Sequence, residues 1–185
     1  QHRPFLAQDN NARGYNLVAV ANTFVFPMAG YSDKIKNISE LKTGDTIAMP
    51  NDPTNLGRAL LLMEKEKLIK LKSGTGLLPT ALDITENPLK LNIMELEGAQ
   101  LPRVIKDPKV TVAIISTTYI QQTGLSPVKD SVFIEDKESP YVNIIVTRED
   151  NKDAENVQKF IKAYQSPEVA KAAETLFNGG AVPGW

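Results

Sequence analysis

Apolar residues along this chain recur with two spacings, and the switches between them mark out its elements. "YNLVAVANTFVF" (15–26) is rich in β-branched and aromatic residues and predicts a strand, followed by an extended "PMAGYS" with a Pro and a Gly that suggest a kink or crossing. "DTIAMP" (45–50), "LKLNIMEL" (89–96), "VTVAIIS" (110–116), "SVFIE" and "YVNIIVTR" (141–148) predict further strands, and the continuous apolar run at 110–116 fits a strand covered on both faces. Between them lie helical patterns: a short one over 4–13, another over 37–44 capped by Asn37 or Ser39 and stopped by Gly44, one from 53 to about 66, a turn-helix at "QLPRVIKDP" and a helix beginning at "TTYIQQTG". "LKSGTGLLPTALDITENP" predicts a loop with a short helix near 79–82.

The C-terminal helices are more sharply written. Val157, Phe160, Ile161 and Tyr164 share one face. Ser166 caps the next helix, Pro167 takes its first position, and Val169, Ala172, Ala173, Leu176 and Phe177 predict its buried stripe before Asn178-Gly179 closes it. Alternation of strands and helices argues an α/β fold with a substantially parallel sheet.

Composition narrows the function classes. The 185 residues suffice for one large domain or two small lobes, and a net charge of -1 argues against nucleic acid or an anionic membrane as partner. The chain has no cysteine, which excludes disulfides and thiolate chemistry, and its one histidine, His2, excludes a site built on two imidazoles. No apolar run approaches the roughly 18 residues of a membrane span. The opening "QHRPFLAQDN" lacks an initiator Met, so the chain is expected to be part of something longer.

One stretch carries candidate chemistry. In "PNDPTNLGRALLLMEKEKLI" (50–69), Asp52 predicts the N-cap and Pro53 the first helical residue, with Asn55 and Arg58 three apart on one face. A cation near a helix N-terminus opposes the helix dipole unless something negative meets it. The helix follows strand 45–50 directly, and ligands of open α/β sheets gather beyond the carboxyl ends of the strands. Free N–H groups, an amide and a guanidinium together suit a carboxylate or phosphate. The alternative is that Arg58 only pairs with Glu95, Glu97 or another surface acid.

Other constellations are weaker. "SGTGLL" (73–78) follows no strand and predicts a turn rather than a dinucleotide loop. Ser139, Asp130 and His2 lack the sequence context of a triad, and the acids of "REDNKD" are best read as solvated. The residues themselves therefore predict an α/β protein with an anion pocket, no catalytic residues, no metal site and no cofactor.

"NTFVFPMAGYS", "PNDPTNLGRALLL", "DKESPYVNIIVTREDN" and "FNGGAVPGW" resemble the MetQ/NlpA family, the methionine-binding lipoproteins of bacterial ABC importers, and the similarity runs from Gln1 to Trp185. The resemblance implies a two-lobe periplasmic binding protein fold, type II-like, with the first part of lobe one absent from this chain. It implies residues 1–30 and 141–185 as a partial lobe one, 31–140 as lobe two, and crossing segments near 27–33 and 139–144. Methionine, L or D, would lie in the cleft between lobes and pass to the permease subunits of an ABC importer. Localisation would be the cell envelope, on the periplasmic side of the inner membrane, through a lipid on an N-terminal Cys not present in this chain.

Residue by residue, the family's ligand-binding positions fall on His2, Phe5, Asn55, Arg58, Ser116 and Asn143. Phe5 stands where the family has a tyrosine, and Ser116 where it has an asparagine, so a bridging water or a changed ligand preference is expected there. Arg58 and the helix start would neutralise the α-carboxylate, and Asn55 and Asn143 would serve carboxylate and ammonium. His2, Phe5 and Phe26 would line a thioether pocket. As a strand residue between Val142 and Ile144, Asn143 is expected to point away from both. The alternatives are a related ligand such as a methionine-containing dipeptide, or a ligand-sensing regulatory domain of similar fold; a lipobox or a helix-turn-helix in the full-length sequence separates importer from regulator. Without the rest of lobe one, exposed apolar strand edges predict self-association.

Overall fold

The helices in chain order are α1 (Arg3–Arg13), α2 (Pro53–Lys65), α3 (Leu101–Val104), α4 (Thr117–Ile120), α5 (Glu155–Tyr164) and α6 (Pro167–Leu176). The strands are β1 (Leu17–Asn22), β2 (Phe24–Val25), β3 (Met28–Tyr31), β4 (Thr46–Pro50), β5 (Lys70–Leu71), β6 (Ile84–Glu86), β7 (Asn92–Leu96), β8 (Val112–Ser116), β9 (Ser131–Ile134), β10 (Ile144–Arg148) and β11 (Val182–Pro183). This computed structural model describes residues 1–136 and 139–185; residues 137 and 138, inside the expected second lobe, lie outside the described residues. The chain forms two units, Met28–Glu135 and Gln1–Pro27 with Asp136–Trp185. They are called the central and the terminal unit below.

The central unit is a five-stranded sheet in the order β7-β4-β8-β3-β9. The β4/β7 and β4/β8 pairs are parallel, whereas β3 runs antiparallel to both β8 and β9. The sheet is therefore mixed rather than wholly parallel. The cause is β3 alone, which runs against both of its neighbours, while β4, β7, β8 and β9 share one direction. Residues 28–31, expected as part of a crossing segment, are strand β3, fully buried within this sheet.

Period-two alternation distributes the strands' side chains over two cores. Met28, Ile47, Met49, Val112 and Ile114 pack on one face with Leu56, Leu60 and Met63 of α2. Ala29, Tyr31, Ala48, Ala113 and Ile115 pack on the other with Leu101, Ile105 and Ile120. Each fully buried Leu, Ile or Met contributes about 1.5–3 kcal/mol, so the sheet is held from both sides. Gly57 is required for this packing: a Cβ there would sit 2.6 Å from the backbone carbonyl oxygen of Leu77. The remaining loop contains a small hairpin that periodicity did not predict, β5 with β6, bearing the exposed Lys70–Glu86 pair at 2.8 Å.

In the terminal unit, β1 pairs antiparallel with β10 and β2 with β11. The run 15–26 is therefore not one strand. It breaks at Thr23, whose N–H bonds the Asn143 carbonyl at 2.7 Å, and β2 leaves to pair with the C-terminal end. An aromatic cluster holds this unit: Phe24 packs on Trp185 at 4.9 Å between centroids and Phe26 on Phe177 at 4.8 Å.

The α6 caps agree with the sequence reading: the Ser166 hydroxyl accepts the Val169 N–H, and Asn178 and Gly179 both take left-handed backbone. Its expected buried stripe is corrected. Ala173 is buried and Val169 and Phe177 are half-buried, but Ala172 and Leu176 are exposed, because no described element covers them. No helix among the described residues is long and apolar enough to cross a membrane.

Candidate functional site

The carboxyl ends of β4, β7 and β8 lie at one end of the central sheet, and α2 starts there. Asp52 ends the loop from β4 in extended conformation, and its Oδ1 accepts the Asn55 N–H at 3.0 Å, with Pro53 in the first turn. The same carboxylate receives the Thr54 hydroxyl at 3.1 Å and the Asn55 side-chain amide at 3.0 and 3.1 Å. The cap thus fixes Asn55 as well as the helix.

Arg58, one turn on, is 4% exposed. Its Nε donates to both oxygens of Glu135, at 3.0 and 3.2 Å, and Nη2 donates to Oε2. Glu135 also accepts the Met28 N–H at 3.1 Å, while its own N–H bonds the Met28 carbonyl at 2.9 Å. One acid that meets Arg58 is therefore a protein carboxylate 77 residues away, Glu135. A buried cation is costly alone, and a carboxylate at bidentate geometry is what makes it tolerable.

Ser116 ends β8 and precedes α4; its hydroxyl lies 3.2 Å from that of Thr118. It stands opposite Met28 in the β3–β8 register, so Ser116, Met28, Glu135 and Arg58 belong to one end of the sheet. That end is where an open α/β sheet gathers ligands.

The terminal unit places the other candidates. His2 is buried at the N-cap of α1, and its Nδ1 accepts the Phe5 N–H at 3.3 Å. The His2 ring meets Phe5 edge-on at 6.1 Å and Tyr141 edge-on at 5.1 Å. Asn143 faces His2 in an isolated antiparallel bridge, and its backbone N–H bonds the Phe24 carbonyl at 3.0 Å. It is half-buried and lies just before β10 begins at Ile144. Phe26 belongs to the aromatic cluster with Phe24 and Phe177 rather than to the His2 group.

Sequence reasoning missed Glu135 and Tyr141. For Glu135 one signal was available: an arginine inside an apolar helix demands an acid, and "SVFIE" puts one at the end of a buried strand. Tyr141 gave no signal distinguishable from core. Among the described residues, no cluster of His, Cys, Asp and Glu could hold a metal ion.

The protein is similar to Lipoprotein 28 of Escherichia coli (strain K12), with 80% identity over all 185 residues, which span 68% of that relative. It is 64% identical to the D-methionine-binding lipoprotein MetQ of the same strain, again over 68% of the relative. Among solved structures, the methionine binding protein MetQ superposes with a TM-score of 0.95 at 64% identity, covering all of this chain and 76% of the other. A nutrient binding protein from Burkholderia cenocepacia bound to methionine gives a TM-score of 0.95 at 44% identity, covering all of this chain and 77% of the other. The architecture is thus the α/β fold of periplasmic binding proteins, lacking about a quarter of the length of those solved chains. The NlpA lipoprotein model matches residues 1–185, and the chain belongs to the NlpA lipoprotein family.

Proposed function

We propose that this protein is the extracytoplasmic substrate-binding component of an ABC importer and that its ligand is methionine. The observation that carries the reading is the match of the whole chain, at a TM-score of 0.95, to a relative bound to methionine. The candidate ligand-binding residues are His2, Phe5, Asn55, Arg58, Ser116 and Asn143. Arg58 and the α2 start take the α-carboxylate, the amides of Asn55 and Asn143 take carboxylate and ammonium, and His2 with Phe5 offers aromatic surface to the thioether. No bond is made or broken: the protein binds methionine and hands it to a permease. A lipid anchor on a cysteine preceding this chain holds it to the inner membrane.

Calorimetric titration of the complete protein tests the reading. Heats for L- or D-methionine far above those for alanine and glutamate are expected. Equal, weak heats for all four contradict it.

A further inference from the structure

The central unit holds a cavity of about 770 Å³ at the end of its sheet away from the α2 start. The β3–β8 register fixes that place: Met28 meets Ser116 at one end, and Tyr31 meets Ala113 at the other, where the cavity lies. It is lined by the end of β3 and the loop after it, by α3, and by the start of β9 with the loop before it. Its floor is apolar, with Tyr31, Ile35 and Ile105 buried and Leu125 and Val132 half-buried. The volume falls in the range of small-molecule sites.

The rim is cationic. Lys36, Arg103, Lys106 and Lys129 line it, all exposed, against two carboxylates, Asp33 and Asp130, in a chain whose net charge is -1. None of the four cations forms an ion pair among the described residues, whereas Lys70, Arg148, Lys152 and Lys159 each do. Asp130 is engaged with its own loop, its Oδ2 accepting the Ser126 N–H at 2.7 Å. A concave wall with surplus charge of one sign concentrates the opposite ion. One donor is left over below the rim. The hydroxyls of Ser32, Thr123 and Ser131 donate to the carbonyls of Thr111, Ile120 and Pro127, at 2.5, 2.7 and 2.6 Å. The Tyr31 hydroxyl, on a residue 1% exposed, has no partner among the described residues. A buried polar group of that kind is costly unless something meets it.

We propose that this cavity binds a small amphiphilic anion, a carboxylate or phosphate carried on an apolar body. The body lies on Ile35, Ile105, Leu125 and Val132, and the anionic head meets the cations of the rim. The Tyr31 hydroxyl gains an acceptor on the ligand or on a water that enters with it. The site shares no residue with the candidate methionine site and does not rest on that reading.

The test titrates octanoate into the complete protein carrying labelled Ile, Leu and Val methyl groups, followed by NMR. Saturable shifts are expected at Ile35, Ile105, Leu125 and Val132. Octanol, which has the body without the charge, and acetate, which has the charge without the body, are expected to bind about tenfold more weakly or worse. Arg103→Glu combined with Lys129→Glu is expected to weaken octanoate about tenfold or more and to leave methionine affinity unchanged. Equal affinities for octanoate and octanol, shifts that do not saturate, or an unchanged octanoate affinity in the folded double variant overturn the proposal. If the double variant does not fold, Arg103→Gln with Lys129→Gln is judged by the same loss. Phosphatidylglycerol vesicles separate a free ligand from a lipid headgroup: shifts at these methyls with vesicles and none with octanoate make the cavity a membrane contact and overturn the proposal. Octanoate bound as expected by a protein that ignores methionine supports this site and contradicts only the methionine reading.

Discussion

The two units spend their apolar residues differently. In the central unit, β4 is buried from Ile47 to Pro50 and β8 from Val112 to Ile115, with a helix-lined core on each face. In the terminal unit, β1 is half-buried along its whole length and α5 has no buried residue at all. Phe160 is 55% exposed and Leu176 60% exposed, although both sit on apolar faces written with the same periodicity as α2. The difference teaches that periodicity states which face must be covered and does not state by what. The described residues supply the cover in one unit and leave it unsupplied in the other.

The largest effect that would break this comparison is expected at Arg58. Arg58→Ala leaves Glu135 buried beside an empty place, and removal of one member of such a pair costs about 3–5 kcal/mol. Urea unfolding should show this loss, together with loss of methionine binding. Affinity lost at full stability would mean that Glu135 is readily hydrated. The next contrast sets one large apolar residue from each unit against the other. Leu60→Ala in the doubly covered core is expected to cost about 2–5 kcal/mol, and Phe160→Ala less than about 1 kcal/mol. Equal costs would show that the α5 face is covered in the complete protein, which would sharpen the contrast into one between this chain and its longer relatives. The 185-residue chain alone is expected to self-associate in size-exclusion chromatography through that face.

The smallest effect concerns Tyr31, whose buried hydroxyl has no hydrogen-bond partner among the described residues. Burial first, and the charge of Asp130 second, push its phenol above the ordinary value of 10.0. A raised pKa means that the folded state keeps a proton which the unfolded state gives up. This contribution to stability is therefore complete below about pH 10 and is lost as pH climbs above it. Tyr31→Phe should match or exceed wild-type stability at pH 7, since it removes an unsatisfied group, and should lose less between pH 9 and pH 11. Parallel alkaline limbs in the two thermal-melt series would count against a buried, neutral phenol.

What the sequence revealed follows the range of each interaction. The α2 start was legible because its signal is local: Asp52, Pro53 and Asn55 lie within one turn and make the cap themselves. Asn55 and Arg58 could be placed on one face for the same reason. Glu135 was not legible as the partner of Arg58, because that pairing depends on β9 lying beside β3, which no local pattern fixes. The break at Thr23 was hidden because "ANTFVF" keeps high strand propensity across it, and only the competing partners β10 and β11 divide the run. The direction of β3 was likewise invisible: propensity marks a strand and says nothing of its sense.

The most direct test of the account is a crystal structure of the complete protein grown with methionine. The account predicts the methionine carboxylate within about 3 Å of the Arg58 guanidinium, with the Glu135 carboxylate still bonded to Arg58 and to the Met28 N–H. A carboxylate bound by other groups, with Arg58 and Glu135 paired away from the ligand, would contradict it and make the pair a purely structural one.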